Sequence, residues 1–443
     1  MALWIYLGAM SYGLVELDPR LPAQYPPGEW KTIIENQVFT QTLYLDTGND
    51  HTLIINATFR DIDGSGIMIR NVSDVYIKNC TIYNVKEDGI VLRSTGSTHD
   101  VTIDGCTIYN TGGSGILTKQ NEEEGIDHSH LVIKNNTLHD IGTTEYNHGL
   151  YIFSTDSLIE NNMVSGTTGN GISIRSSGVV RGNKVWDIQG SCIKYYSNHA
   201  PGVSNALYIE NNTCYQTKAG SGDPGINLKR ARETPETWLL QDYYIRFNTV
   251  VLRTGKRYGF AITSPEIEPK HVELYGNLFV NTQDIAKTLN PAYVDYLSSN
   301  YTSTSLEGFR DPNKSPYDFQ LTADSPARYY ASTEARFPWR DINGAIRVTG
   351  YLDAGAYQFS QPPLTEPVSE SQNKPPTAMS TQHSKNSDTP VAKGQAEPLV
   401  KNSDKPSATQ GDRLNNKSLY FMFPIGLLLM IAVIVVLRIQ TRR

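Results

Sequence analysis

The sequence is short of charge, of cysteine and of any long amphipathic run. Only 19% of its 443 residues are charged, and acidic residues outnumber basic ones for a net charge of −6. That balance excludes a nonspecific nucleic-acid binder, which needs a basic footprint. The four cysteines, Cys80, Cys106, Cys192 and Cys214, never form a C-x-x-C pair, which argues against a zinc centre. They are also too few to staple a small disulfide scaffold. In place of helical periodicity, short apolar runs alternate at period two between Gly, Asn and Asp. Such a chain is expected to be all-β and rich in turns.

What is present is a repeat. The pattern apolar-x-x-N-x-apolar recurs as IKNCTI (77–82), IDGCTI (103–108), IKNNTL (133–138), IENNMV (159–164), VRGNKV (180–185), IENNTC (209–214), IRFNTV (245–250) and LYGNLF (274–279), with IINATF (54–59) before them. Intervals of 21 to 36 residues are those of a solenoid. Each unit is too short for a helix pair and reads as one coil of strands. The fourth motif position holds Cys80, Cys106, Asn136, Asn162, Asn183, Asn212, Asn248 and Asn277. In a parallel stack, one turn repeats every ~4.8 Å, so these side-chain amides would bond in a ladder. Cys80 and Cys106 fit the ladder either as small buried groups or as a disulfide.

These repeats resemble the right-handed parallel β-helix of the pectate-lyase-like superfamily, over residues 51–282. The stretches YDFQLTADSPARYY (317–330) and RDINGAIRVTGYLDAGAYQF (340–359) are similar to the closing segment of secreted bacterial β-helix proteins. The matching residues are Ser325, Pro326 and Ala327, then Asp341, Gly344 and Arg347, then Asp353, Gly355, Ala356 and Tyr357. The resemblance implies about nine coils and a cap over the open end, where a free sheet edge would otherwise remain.

The ends of the chain differ in composition. Residues 361–418 have no aromatic residue and are rich in Pro, Ser, Lys, Asn and Gln, the signature of a disordered linker, spanning roughly 40 Å as a coil. The run LYFMFPIGLLLMIAVIVVL (419–437) carries no charge and matches the thickness of a bilayer core. Arg438, Arg442 and Arg443 in the tail 438–443 favour a cytoplasmic C-terminus. The opening MALWIYLGAM lacks the basic residues of a signal peptide, so residues 1–50 are either a signal remnant or an N-terminal cap. The expected order is cap 1–50, solenoid 51–282, closing segment 283–360, linker 361–418, transmembrane helix 419–437 and tail. This describes a monomer at the cell membrane with its β-helix on the extracytoplasmic side.

Each coil also carries G-I-x-I-x. With the Ile facing in, the two x positions face out. One outward column reads Met68, Val91, Leu117, Tyr151, Ser173, Lys194, Asn227, Ala261. The next reads Arg70, Arg93, Lys119, Phe153, Arg175, Tyr196, Lys229, Thr263. Five cations in one column of an acidic protein suggest a groove for an extended polyanion, and otherwise a solvated basic face. Coils four to seven add aromatic rings, which stack on sugars, and longer loops, including 121–130, 142–149, 197–202 and 219–225.

The expected partner is an acidic polysaccharide, held by Arg175, Lys229, Tyr196, Arg230, Arg232 and Asn227. The expected catalytic groups are Lys194 as base with its pKa depressed by its cationic neighbours, Tyr151 as acid, and His148 before the Tyr151 strand. The reaction would be β-elimination or epimerisation at a uronate. The paired aspartates of polygalacturonase-like enzymes, the DPHD of alginate epimerases and the R-x-P-x-x-R of many pectate lyases are all absent. A non-catalytic surface protein that binds glycans is the alternative. Glu122–Glu124 offer oxygen ligands for Ca2+ or simply a solvated acidic turn, and the cofactor stays undetermined. If 419–437 is an anchor, the full chain stays with membranes through an alkaline carbonate wash and a chain ending at 418 is released. Release of both chains contradicts the anchor.

Overall fold

The computed structural model describes residues 30–359, except 120–126, 217–222, 232–234, 253–257, 264–270, 282–283, 288–293, 296–298, 332–337, 339 and 349. The linker, the apolar run 419–437 and the tail lie outside the described residues. Among those described, no helix is long and apolar enough to cross a membrane.

The chain winds through three short strands per coil, and like strands of successive coils pair in parallel. Sheet A runs from Thr32–Glu35 to Val294–Asp295, sheet B from Val38–Phe39 to Tyr301–Ser303, and sheet C from Leu43–Leu45 to Asp284–Lys287. Ten complete coils result. Inward residues form one continuous core, for example Ile133 of sheet A, Leu138 of sheet B and Leu150 of sheet C.

The corner between sheets A and B explains the motif. The residue before each rung is left-handed, with φ of 52–57° at Asn79, Asn135, Asn161 and Asn211 and 64–69° at Gly105, Gly182 and Gly276. Asn and Gly tolerate that conformation best, so the chain can turn here without strain. The exception is Phe247, at φ 51°, fully buried under the closing segment. The rung side chain then points inward and must be satisfied. Asn162 Nδ2 donates to Asn183 Oδ1 at 3.0 Å and to Ile133 O at 2.9 Å, while its backbone N–H donates to the same Asn183 Oδ1. The relay repeats from Asn136 through Asn183, Asn212, Asn248 and Asn277 to Asn300, with amide-to-amide distances of 2.8–3.0 Å.

Several expectations need correction. The solenoid extends beyond 51–282 at both ends, to Thr32 and Ser303. Its outer coils were hidden because Gln37 takes the rung position in the first, while Thr302 breaks the apolar position after Asn300 in the last. Cys80 and Cys106 are free buried thiols, and Cys106 Sγ acts as a rung that accepts the Cys80 N–H. The disulfide is Cys192–Cys214, with Cα atoms 5.7 Å apart. Cys192 immediately precedes a sheet C strand and Cys214 is an inward residue of sheet B in the next coil, so both sulfurs enter the same core.

The described residues of the closing segment pack along the side of the helix. Val251, Leu278 and Val280 face outward from sheet B, and Phe309, Phe319, Ala354, Ala356 and Tyr357 cover them. Arg347 is the bolt of this seam. It is buried, stacks on Phe247 at 4.1 Å and donates to Asn211 Oδ1 at 2.8 Å and to Gly355 O at 2.9 Å. Asp341 and Asp353 fold the segment by accepting backbone N–H groups of Ala345, Gln358, Tyr329 and Phe359.

Replacing Asn212 by Ala removes the acceptor for Asn183 and the donor for Val180 O. Leaving buried groups unpaired should cost about 2–5 kcal/mol in a denaturant titration. Loss below about 1 kcal/mol would show that water or a shifted neighbour replaces the rung.

Candidate functional site

Because the coils stack without slippage, the outward positions of sheet C align. Leu117, Tyr151, Ser173, Lys194, Asn227 and Ala261 stand directly above one another. Two residues along, Tyr196 pairs in register with Lys229. The expected columns are therefore present, but they differ along their length. Met68, Val91 and Leu117 form a buried outer ridge with Tyr151 packed against it, and Arg70 is tied to Asp46. Arg93 and Lys119 carry no carboxylate partner among the described residues, and cations and aromatic rings come together further on, from Tyr151 to Lys229.

Arg175 is the centre of that stretch. Its guanidinium carbon lies 4.6 Å from the Tyr151 ring centre, 4.7 Å from Tyr196 and 5.2 Å from Phe153. Only 6% of the residue is exposed. Nη1 donates to Asn198 Oδ1 at 3.3 Å and Nε has no partner. No carboxylate pairs with it among the described residues. Ring faces attract a cation but satisfy none of its N–H groups. Burial lowers its pKa, and the surrounding tyrosines act the other way.

Lys194 is half-buried between Ser173 and Asn227. Its pKa is lowered, first by burial, while Asp223 opposes and Lys229 and Arg175 assist. The expected direction holds, but desolvation and not neighbouring charge is its main cause. Lys229 Nζ lies 5.8 Å from the Tyr196 ring, which is thus flanked by Arg175 and Lys229. Asn227 is buried and accepts the Thr263 hydroxyl at 2.9 Å. Arg230 is in register with buried Ser197, opposite in parity to Lys229, so it is not on the outward column. Arg232 and Glu122–Glu124 lie outside the described residues. Among the described residues no cluster of three or more His, Cys, Asp or Glu could hold a metal.

His148 has a different job from the one expected. The residue two before each of five successive sheet C strands forms a second ladder. Ser114 N–H donates to Asp88 Oδ1 at 2.7 Å, His148 N–H to Ser114 Oγ at 3.1 Å, Asn170 N–H to His148 Nδ1 at 3.0 Å and Ser191 N–H to Asn170 Oδ1 at 2.9 Å. His148 is a rung, its Nδ1 accepting the Asn170 N–H. Burial, then Arg175 and Lys194, bring its pKa down to about 3. It braces Tyr151 edge-on at 4.6 Å, and its lowered pKa keeps the ring neutral near pH 7.

Two residues escaped the sequence reading. Asn198, the hydrogen-bond partner of Arg175, sits on the loop 198–205. That loop is fastened by Asp156, which accepts Val203 N–H at 2.8 Å, Ser204 Oγ at 2.6 Å and Ser177 Oγ at 2.9 Å. The SNHAPG stretch marked a loop, but nothing in it marked the distant Asp156 as its anchor.

The titration of His148 gives a test. Unfolded, it takes a proton below about pH 6.5, and folded it does not until about 3. Its contribution to stability is complete above 6.5 and is lost as pH falls through that window, at about 1.4 kcal/mol per pH unit. His148→Asn keeps an acceptor on the rung and cannot titrate. His128 and His199, lowered by burial, and Asp88, raised by burial, act alike in both proteins. The stability difference between wild type and variant should therefore slope with pH below about 6.5, and a constant difference contradicts the assignment.

The family described as "Right handed beta helix region" matches residues 65–284. No curated protein sequence matches the chain. Among solved structures, the A-module of mannuronan C-5 epimerase AlgE6 from Azotobacter vinelandii is similar at 13% identity, covering 62% of this chain and 81% of that one, with a TM-score of 0.44. Pectate lyase Pel9A is similar at 11% identity, covering 74% and 87%, with a TM-score of 0.43. The tailspike protein gp49 from Pseudomonas phage LKA1 is similar at 14% identity, covering 61% and 52%, with a TM-score of 0.30. Likeness at this level assigns no chemistry to the groove. With ten stacked coils and that family match, the body of the chain is a right-handed parallel β-helix.

Proposed function

We propose that the outer face of sheet C between Tyr151 and Lys229 binds an acidic polysaccharide and cleaves it by β-elimination at a uronate. One observation carries the reading: a nearly buried guanidinium, boxed by three aromatic rings, with no carboxylate among the described residues to neutralise it. A buried cation without a counter-ion is costly, and a planar carboxylate is its best-matched ligand. Tyr151 and Tyr196 offer rings beside it for the sugar.

In this mechanism Arg175 takes the uronate carboxylate and spreads the charge that develops when the α proton leaves. Lys194, its pKa lowered, takes that proton on Nζ. The electron pair of the C–H bond becomes the new C=C bond, and the bond from the β carbon to the glycosidic oxygen breaks. The departing oxygen receives a proton from Tyr151 or Tyr196. Lys229 and Asn227 hold the neighbouring sugar, and His148 keeps Tyr151 in place. Epimerisation shares the first step and differs in returning the proton to the opposite face. The Cys192–Cys214 disulfide fits an oxidising, extracytoplasmic compartment, and the run 419–437 would tether the protein to the membrane there.

The full chain is incubated with alginate, polygalacturonate, pectin and chondroitin, following the ultraviolet absorbance of unsaturated uronate and, in D2O, deuterium entry at the α carbon. Lys194→Ala should lower the rate about 100- to 10,000-fold while the polymer still binds. Arg175→Gln should weaken binding about 10- to 100-fold. Absence of both unsaturation and deuterium entry rules out the chemistry. Arg175-dependent retention on an immobilised polyuronate would then mark the groove as a binding module.

A further inference from the structure

A second place on the molecule has the chemistry of a carbohydrate site, and it lies on sheet B, away from the groove. In the outward column of that sheet Tyr83, Tyr109 and His139 follow one another in register. Their rings stack at 5.0 and 4.9 Å with interplanar angles of 2° and 7°, so each covers its neighbours' faces and presents edges to solvent. The stack breaks at Ser165, which stands in register beneath Trp186. Trp186 is half-buried, with the small Ser165 in register on one side and Tyr215 on the other, and no ring stacks on it among the described residues.

Beside Trp186 the closing segment stands away from the sheet. Between them is a cleft of about 210 Å3, lined by Met163, Lys184, Trp186, Tyr215, Tyr317 and Tyr357. Tyr215, Tyr317 and Tyr357 belong to the same apolar seam as Val251, Leu278 and Val280, so what sets the cleft apart is the indole and the cation in its wall. This cleft is aromatic and carries a cation. Lys184 Nζ lies 5.9 Å from the Tyr357 ring centre and has no carboxylate partner among the described residues. The one acid in the wall, Asp318, is already held by Arg310 Nε at 2.9 Å and by the Gln320 N–H at 3.0 Å. The cleft therefore keeps an uncompensated positive charge beside the indole. Its volume suits one sugar ring and not a chain.

We propose that this cleft is a second binding site, taking a single uronic acid residue that stacks on Trp186 with its carboxylate on Lys184. Aromatic face and cation are the two contacts such a ligand offers partners for. The site needs neither Arg175 nor any turnover on sheet C.

Saturation-transfer NMR on the full chain tests it, with galacturonic, glucuronic and mannuronic acids each set against its parent hexose. Transfer to at least one uronic acid should persist in Arg175→Gln, which separates this site from the groove. It should fall at least fivefold in Trp186→Ala. In Lys184→Gln, a surface change that leaves the seam's apolar contacts in place, the uronic acid should drop to the level of its parent hexose. Absence of transfer in the wild type, its loss in Arg175→Gln, or an unchanged preference for the acid in Lys184→Gln overturns the proposal.

Discussion

The relay of side-chain amides from Asn136 to Asn300 is the contact on which the rest of the molecule depends. Every coil must turn a corner inside the protein, and a buried corner leaves backbone groups that water cannot reach. Each Asn answers two of these at once, donating to a carbonyl of the preceding coil and receiving the N–H of the coil before it. The bond forms only when corners lie directly above one another. A slip of one residue would break every rung and turn each strand's apolar face outward. The ladder therefore sets the register of three sheets, and with it the alignment of all outward columns.

The groove on sheet C is a consequence of that alignment and is also where the fold carries an unfavourable arrangement. Arg175 is removed from water with no counter-ion among the described residues, and aromatic faces compensate only part of the loss. Lys194 beside it is driven toward its neutral form by the same dryness. Local rules tend to be broken where function is sited. The loop that lays Asn198 against Arg175 is held by Asp156, so the cage is assembled from an ordered loop as well as from strands. The second ladder contributes too, because His148 as a rung fixes the ring against which Tyr151 rests.

Much of this was legible in the residues themselves. The interval of I-x-N-N-x-I announced a solenoid, the Asn position announced a ladder, and alternation in G-I-x-I-x put Tyr151, Arg175, Lys194, Tyr196 and Lys229 on one face. These are short-range signals repeated many times, so each copy corroborates the others. What stayed hidden involved single, non-repeating contacts. Cys192 and Cys214 differ in their place in the coil, and only the winding of the chain brings them together. Arg347 reaches Asn211 across more than a hundred residues, so the closing segment's position on the flank could not be read locally. His148 reads as a catalytic histidine because it stands just before the Tyr151 strand, whereas its column partners Asp88, Ser114 and Asn170 reveal the rung only once the coils are stacked.

The central claim is that stacking in register builds a carboxylate-binding groove around Arg175. A crystal structure of the full chain with a bound acidic oligosaccharide tests it most directly. An oligosaccharide should lie across the coils of sheet C, with one uronate carboxylate bonded to the Arg175 guanidinium and a sugar within reach of Lys194 Nζ. An oligosaccharide seated on sheet A or B alone, with the aromatic cage of Arg175 closed and unchanged, would contradict it.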